Sequence, residues 1–344
     1  MFSPELLKRI ATQHFSTFKQ LEEIESILTS RFVGLEKAIK ALILSIANGE
    51  PLLLVGPPGT AKSRLIRAFC GLIGLIDEKN LHKGHQDYFE YLLTPFTEPG
   101  ELFGYYDISK AKDGNLVRNE DGMMQKAKVI YLDEIFNGSS AILNSILSFM
   151  NERIFHDRGT RKKVSMQCLF AATNQIPEKP ELRAIFDRLV LRCQVENIPA
   201  QPKPISDLLQ KGWMETYAAH QKQSSLQGLL ENTQKLRQSI QDHTSSKKLL
   251  VHDTEHQFYK KFTWMVNHIR QFGLSELSNR RLIKISHTML IHAMYEWVKS
   301  NNRKSDIIIG SNEFGLIPRF FLDRFEADTI EKIERAAASY DEKH

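Results

Sequence analysis

Leu52-Leu53-Leu54-Val55-Gly56-Pro57-Pro58-Gly59-Thr60-Ala61-Lys62-Ser63 decides how this chain is read. Four apolar residues form a short buried-strand pattern, a Gly/Pro-rich turn follows, and Lys-Ser opens a helical pattern. The layout is nearly that of a phosphate-binding loop, G-x-x-x-x-G-K-[ST]. Small residues let backbone N–H groups close around phosphate oxygens, and the helix N-terminus adds positive potential. Lys62 is placed to reach β- and γ-phosphates, and the Ser63 hydroxyl to take a Mg²⁺ coordination position. Ala61 stands where the second glycine is expected, and a positive φ there would resist a Cβ.

Working outward, Tyr88–Leu93, Val129–Leu132 and Gln167–Thr173 read as further strands, with Leu189–Cys193 as a candidate fourth. Helical patterns fall between them, notably 140–153, and the apolar spacing over 1–30 and 35–47 is also helical. Strands alternating with helices predict a parallel sheet covered on both faces, with ligands at the carboxyl ends of the strands. The residues at those ends are chemical. Val129-Ile130-Tyr131-Leu132 runs into Asp133-Glu134, two adjacent acids that are costly at a strand end unless a metal or hydrogen bonds satisfy them. Beside a phosphate loop, Asp133 reads as a Mg²⁺ partner through water and Glu134 as the base that polarises an attacking water. The strand ending at Thr173 carries Asn174, which either faces a γ-phosphate or its water or simply forms a turn before Pro177.

A chain of 344 residues suggests two domains or one domain with a lid. Its 42% apolar content supports a core, and 25% charged residues are ordinary. No apolar run reaches the ~18–20 residues of a membrane span, and the first ten residues have no signal-peptide core. Cys70, Cys168 and Cys193 are odd in number, far apart and in apolar surroundings, so they read as buried thiols of a reducing cytoplasm. A net charge of +5 does not argue for nucleic acid. The densest basic run, Arg158, Arg161, Lys162 and Lys163, reads as the solvated face of a hairpin. Asp107–Gly122 is polar and reads as an inserted hairpin or loop. Tyr105 and Tyr106 at its base are candidates to grip a chain, or ordinary interface or core residues. Pro199, Pro202 and Pro204 mark a boundary, beyond which 205–300 is largely helical. The Gln/Ser/Lys-rich stretch 221–248 reads as a solvated helix or partly disordered. Asp323, Phe325 and the Ile330, Ile333, Ala337 spacing fit a short amphipathic tail piece.

Taken together, these motifs resemble the AAA+ ATPases, in particular the MoxR class and its RavA-like branch, over about residues 20–295. The carriers are Phe32-Val33-Gly34, Gly56–Ser63, Phe103-Gly104, the 129–135 strand end, Ala141-Ile142-Leu143-Asn144, Asn151-Glu152-Arg153, Ala171-Ala172-Thr173-Asn174 and the 184–189 segment. In that class Ala-Lys is usual in the loop, so Ala61 fits. The resemblance implies an α/β fold: an AAA+ core, a parallel sheet between helices of the P-loop NTPase kind, over residues 1–200. A hairpin is inserted near 105–122, an all-α lid covers 201–300, and a short helical tail covers 301–344. It implies ATP and Mg²⁺ as cofactors, Gly56, Pro57, Pro58, Gly59, Thr60, Ala61, Lys62 and Ser63 on the phosphates, and Asp133 and Glu134 as the Walker B pair. Asn174 matches sensor 1. Arg188 matches the arginine finger that enters a neighbouring subunit's site. Arg280, with Arg281 as the alternate, matches sensor 2, and Phe32 and Val33 match the adenine-pocket segment. A ring, usually a hexamer, is implied, with a partner bearing a von Willebrand A-type domain and a role in remodelling or maturing that partner. A nucleic-acid motor or loader on the same core is the alternative, and an ATP-binding scaffold that does not hydrolyse is a third. What remains after the lid is short for the RavA-like branch.

Overall fold

The computed structural model describes residues 3–77, 87–107, 117–217, 223–245, 255–301, 305–325 and 327–343. Seven strands are present among them: β1 (Leu52–Val55), β2 (Tyr88–Leu92), β3 (Val129–Asp133), β4 (Ile154–Asp157), β5 (Thr160–Lys163), β6 (Cys168–Thr173) and β7 (Leu191–Gln194). Five form one all-parallel sheet in the order β2-β3-β6-β1-β7. β4 and β5 pair separately as an antiparallel hairpin. The four strands expected from apolar runs lie within two residues of their expected bounds, and the basic run lies on the hairpin, whose β5 residues are all exposed.

Register brings the carboxyl ends level. Val55 is opposite Thr173 on one side and Gln194 on the other, and Leu92 is opposite Asp133. Successive side chains of a strand face opposite ways, and the core divides accordingly. Leu52, Leu54, Val129, Tyr131, Phe170 and Ala172 join the cluster packed by the helices Phe15–Arg31, Glu36–Asn48, Lys62–Leu72 and Asn279–Lys299. Leu53, Val55, Ile130, Leu132, Leu169 and Ala171 join a second cluster beneath Ser140–Glu152 and Arg183–Arg188. Each fully buried Leu or Ile contributes ~1.5–3 kcal/mol relative to exposure, which fixes a one-residue register strongly.

The N-terminal helical stretch is two helices, Pro4–Gln13 and Phe15–Arg31, separated at His14. Ser3 accepts the Leu6 N–H as N-cap of the first, with Pro4 at its opening turn. The helices Pro202–Tyr217, Leu229–Ser245, Gln257–Gln271 and Asn279–Lys299 follow β7. Of the 221–248 stretch, 221–222 and 246–248 lie outside the described residues, and Leu229–Ser245 is a helix solvated on one face only: Leu229, Leu230, Leu236 and Ile240 are buried in the first cluster. Arg237 donates from Nη1 to the Ile46 carbonyl at 2.8 Å. Its polar composition hides an apolar face placed at three- and four-residue spacing. Asn279–Lys299 packs on the N-terminal helices through buried Met289, Leu290 and Met294, and the Asn48 amide donates to Thr288 Oγ1 at 2.8 Å. In the tail, Ile333 is buried on the helix Ala327–Lys343, whereas Asp323 and Phe325 precede that helix in a loop.

The base of the 107–122 insert is paired antiparallel through Tyr106 and Arg118; residues 108–116 lie outside the described ones. Arg118 lies over the Tyr106 ring at 4.2 Å and donates to Asp157 at 3.4 Å, so the base is tied to the β4–β5 hairpin. Tyr106 also donates to Asp157 at 3.0 Å, while Tyr105 is exposed. Lys162 pairs with Glu120 at 2.7 Å and Asp157 at 3.2 Å, so part of the basic run is neutralised within the chain.

Candidate functional site

The phosphate loop leaves β1 beneath the backbone leaving β7. Val195 N–H donates to the Val55 carbonyl at 2.7 Å, and Gly56 N–H to the Thr173 carbonyl at 3.0 Å. A Cβ on Gly56 would sit 1.9 Å from the Val195 carbonyl oxygen, so glycine is required there by close backbone approach. Ala61, the unexpected residue, adopts φ +62° and ψ 22°, the left-handed conformation that glycine adopts freely and alanine adopts at a cost. The helix Lys62–Leu72 starts directly after it.

Lys62 is folded onto its own loop. Its ammonium donates to the carbonyls of Gly56 (2.6 Å) and Pro57 (2.9 Å) and to Thr60 Oγ1 at 3.4 Å. Burial lowers its pKa, while the charges of Asp133 and Glu134 oppose that shift. Three acceptors around one ammonium form a position that phosphate oxygens would take over. Pro57, Pro58 and Gly59 are exposed at the mouth of the loop.

The end of β3 meets the start of that helix. Ser63 Oγ donates to Asp133 Oδ2 at 3.2 Å and accepts from the Tyr131 hydroxyl at 3.1 Å. Asp133 Oδ1 accepts the Glu134 N–H at 3.0 Å. Tyr131 is fully buried, and burial pushes its hydroxyl pKa well up, so it stays a donor. This residue was missed in the sequence. The signal was available: Tyr131 and Asp133 are two apart on one strand and must share a face. A hydroxyl and a carboxylate oxygen held together are hard ligands suited to Mg²⁺, which keeps most of its water shell.

Glu134 sits at φ 48° and ψ 48°, a left-handed conformation for a non-glycine residue. Such strain persists where surrounding structure over-determines it. Burial raises its pKa first, the Asp133 charge adds to that, and the Asn174 backbone N–H and Lys62 oppose it. Asn174 follows β6 with its side chain exposed. Its backbone N–H is near enough to Glu134 to favour the charged carboxylate.

Phe32 is buried as the closing residue of Phe15–Arg31, and Val33 is half-buried. Gly34 edges an open cleft of about 1170 Å³ lined also by Lys37, Val195 and Ile198, and no phosphate-loop residue lines it. Arg188 ends Arg183–Arg188 and donates to the Ala184 carbonyl at 3.1 Å; its buried Nε has no partner among the described residues. Burial lowers its pKa, the nearby Arg280 lowers it further, and Asp187 opposes. Arg280 is exposed. Arg281 is 1% exposed and donates to Asp323 at 2.5 Å, so of the two adjacent arginines only Arg280 faces solvent. The three cysteines are free and buried, and burial raises the thiol pKa of Cys193 to about 12.

Residues 19–238 match the family described as the MoxR domain in the MoxR-vWA-beta-propeller ternary systems. The chain belongs to the MoxR family of AAA+ ATPases. Two uncharacterized proteins of Methanocaldococcus jannaschii are each 39% identical to this MoxR chain, over 180 and 179 residues. Each match covers 52% of the chain and 44% and 45% of the respective relative. A structural protein of Acidianus two-tailed virus is 28% identical over 67% of the chain and 37% of its own length. The chain thus spans less than half the length of the curated relatives it matches. A solved structure from Cytophaga hutchinsonii, provisionally assigned as an ATPase, superposes with a TM-score of 0.61. It is 17% identical, and the match covers 94% of this chain and 97% of that one. At that identity it shows the fold alone: the AAA+ α/β core with a helical C-terminal part. Among the described residues, no helix is long and apolar enough to cross a membrane.

Proposed function

We propose that this MoxR chain hydrolyses ATP with Mg²⁺ at the carboxyl edge of β1, β3 and β6. The observation that carries the reading is the contact of Ser63 with Asp133, at 3.2 Å, beside the Lys62 loop and the strained Glu134. Gly56–Ser63 would hold the phosphates, with Lys62 exchanging its loop carbonyls for phosphate oxygens. Ser63 and Asp133 would hold Mg²⁺, which when bound neutralises charge on the phosphates. Glu134, in its carboxylate form, would accept a proton from the attacking water, with Asn174 beside it as sensor 1. Phe32 and Val33 would border the adenine, and Arg280 would contact phosphate as sensor 2.

Assembly and role are the finer part of the proposal. Arg188 would act on the site of a neighbouring copy in a ring, usually a hexamer, where a guanidinium grips phosphoryl oxygens two at a time. The matched family description names vWA proteins, which supports a von Willebrand A-type partner that the ring remodels or matures. The RavA-like branch rests on the motif string alone. Three buried thiols support a cytoplasmic location. Division into a core to about 200, a lid to about 300 and a tail follows the same resemblance. The internal pairing of Lys162 supports protein rather than nucleic acid as partner.

Glu134→Gln is the test. ATP binding should persist while steady-state hydrolysis falls about 10²–10⁴-fold, the range of general-base catalysis. An unchanged rate removes Glu134 from that role. Proteins retained by this variant in ATP would identify the partner.

A further inference from the structure

Away from the phosphate edge, a cluster of buried charge lies where residues 321–325 cross between β7 and Asn279–Lys299. Arg192 and Arg281 are 0% and 1% exposed. Both donate to the same oxygen, Asp323 Oδ1, at 2.5 Å each. Asp323 Oδ2 accepts from Ser275 Oγ at 2.6 Å and from the Glu276 N–H at 2.7 Å. Burial alone would raise the Asp323 pKa, but Arg281 and Arg192 outweigh it and hold the carboxyl well below its usual range.

The two arginines reach different parts of the molecule. Arg192 donates to the carbonyls of Phe186 (2.6 Å) and Leu189 (3.0 Å) and lies over the Phe186 ring at 3.7 Å. It therefore grips the end of Arg183–Arg188, which carries Arg188. Arg281 is adjacent in sequence to Arg280, at the start of Asn279–Lys299, and also donates to the Phe321 carbonyl. A second tie runs parallel: Ser278, the N-cap of that helix, donates from Oγ to Asp187 at 3.1 Å. Arg188 and Arg280 stand close enough for their like charges to repel. The Ser278–Asp187 bond and the Asp323 carboxylate both join the two elements that carry them.

We propose that Asp323 is a positioning residue that fixes the spacing of Arg188 and Arg280, so that each guanidinium meets its phosphate. This rests on the ATPase reading above. It assigns the loop after the lid a part in phosphoryl transfer, although Asp323 touches no nucleotide. The charge count fits: two buried guanidiniums share one carboxylate, and removing that carboxylate leaves both cations unpaired.

Asp323→Asn tests it in two ways. Spin labels on Glu181→Cys and Ile283→Cys, both exposed, read the distance between the Arg188 segment and the Arg280 helix, since the native cysteines are buried. The distance distribution should broaden about twofold in Asp323→Asn, as expected when a buried pair is broken. In the unlabelled protein kcat should fall about tenfold or more, because misplacing a catalytic group by ~1 Å costs up to ~100-fold, with KM for ATP nearly constant. In an Arg188→Ala background the same substitution should cost clearly less than in the wild type, because part of its effect runs through Arg188. An unmoved distance overturns the proposal, as does a fall in kcat that multiplies fully with Arg188→Ala. Should Asp323→Asn fail to fold, Asp323→Glu keeps the charge on a longer arm. It should then shift the label distance and lower kcat, and an unchanged distance and rate overturn the proposal. If the wild type does not hydrolyse ATP, the functional reading fails by itself, and the label distance still decides whether Asp323 sets the spacing.

Discussion

Gly56→Ala probes the ceiling of the phosphate loop. A Cβ there lies 1.9 Å from the Val195 carbonyl oxygen, and contacts under 3.0 Å are essentially never observed. The outgoing β7 backbone must therefore shift by about 1.1 Å. Backbone cannot swing aside as a flexible side chain can, so the shift strains or breaks the Val195 N–H bond to Val55 and the Gly56 N–H bond to Thr173. Overpacking costs ~1–3 kcal/mol and each lost hydrogen bond ~1 kcal/mol. A destabilisation of about 2–4 kcal/mol follows. For a chain of 344 residues this lowers Tm by roughly 3–6 °C. Gly59→Ala is the control: nothing lies within 4 Å of its Cβ, and only the φ of +85° resists. That control should cost about 1–2 kcal/mol. Urea unfolding followed by tryptophan fluorescence measures both. A loss below 1 kcal/mol for Gly56→Ala, or an equal loss for the two, would refute the close-approach argument.

Three further outcomes are expected. Tyr131→Phe removes one hydrogen bond to Ser63 without emptying the core; stability should drop about 1 kcal/mol, and the Mg²⁺ concentration for half-maximal hydrolysis should rise. Calorimetry and a Mg²⁺ titration check this, and no change in either refutes the Tyr131–Ser63–Asp133 chain. Burial raises the Glu134 pKa above 4.5, so its carboxylate form is lost earlier as pH falls. The acid limb of kcat/KM should lie above pH 4.5 and vanish in the residual activity of Glu134→Gln. Buried His292 hydrogen-bonds Glu313 through Nδ1 at 2.9 Å, and its Nε2 lies 3.2 Å from a Glu296 carboxylate oxygen. Burial lowers its pKa, but donation to the glutamate carboxylates raises it net above 6.5. Its contribution to stability is thus fully present below pH 6.5 and is lost as pH rises through the folded value. His292→Asn should cost more at pH 6 than at pH 9 in urea midpoint, and equal losses would refute the charged pair.

The sheet was legible where strands are buried on both faces, because β1, β3 and β6 are then short apolar runs with nothing to confuse them with. Asp133, Glu134 and Asn174 were legible by position, since register alone carries the ends of adjacent parallel strands to one edge. Leu229–Ser245 was harder, because Gln, Ser and Lys outnumber the four residues that dock it. Asp323 was placed on an amphipathic piece because its partners Arg192 and Arg281 are 131 and 42 residues away. No local pattern encodes such a contact. Arg280 and Arg281 look alike in sequence, and only packing separates the solvent-facing one from the buried one.

β3 carries two alphabets in alternate letters. Tyr131 and Asp133 speak to Ser63, while Ile130 and Leu132 fill the opposite cluster. Deleting a single residue anywhere between 129 and 132 would exchange the two sets, driving a carboxylate into the apolar layer and a leucine toward the phosphates. The strand therefore tolerates replacement but not a change of length, and added residues can be taken up only at its flanks.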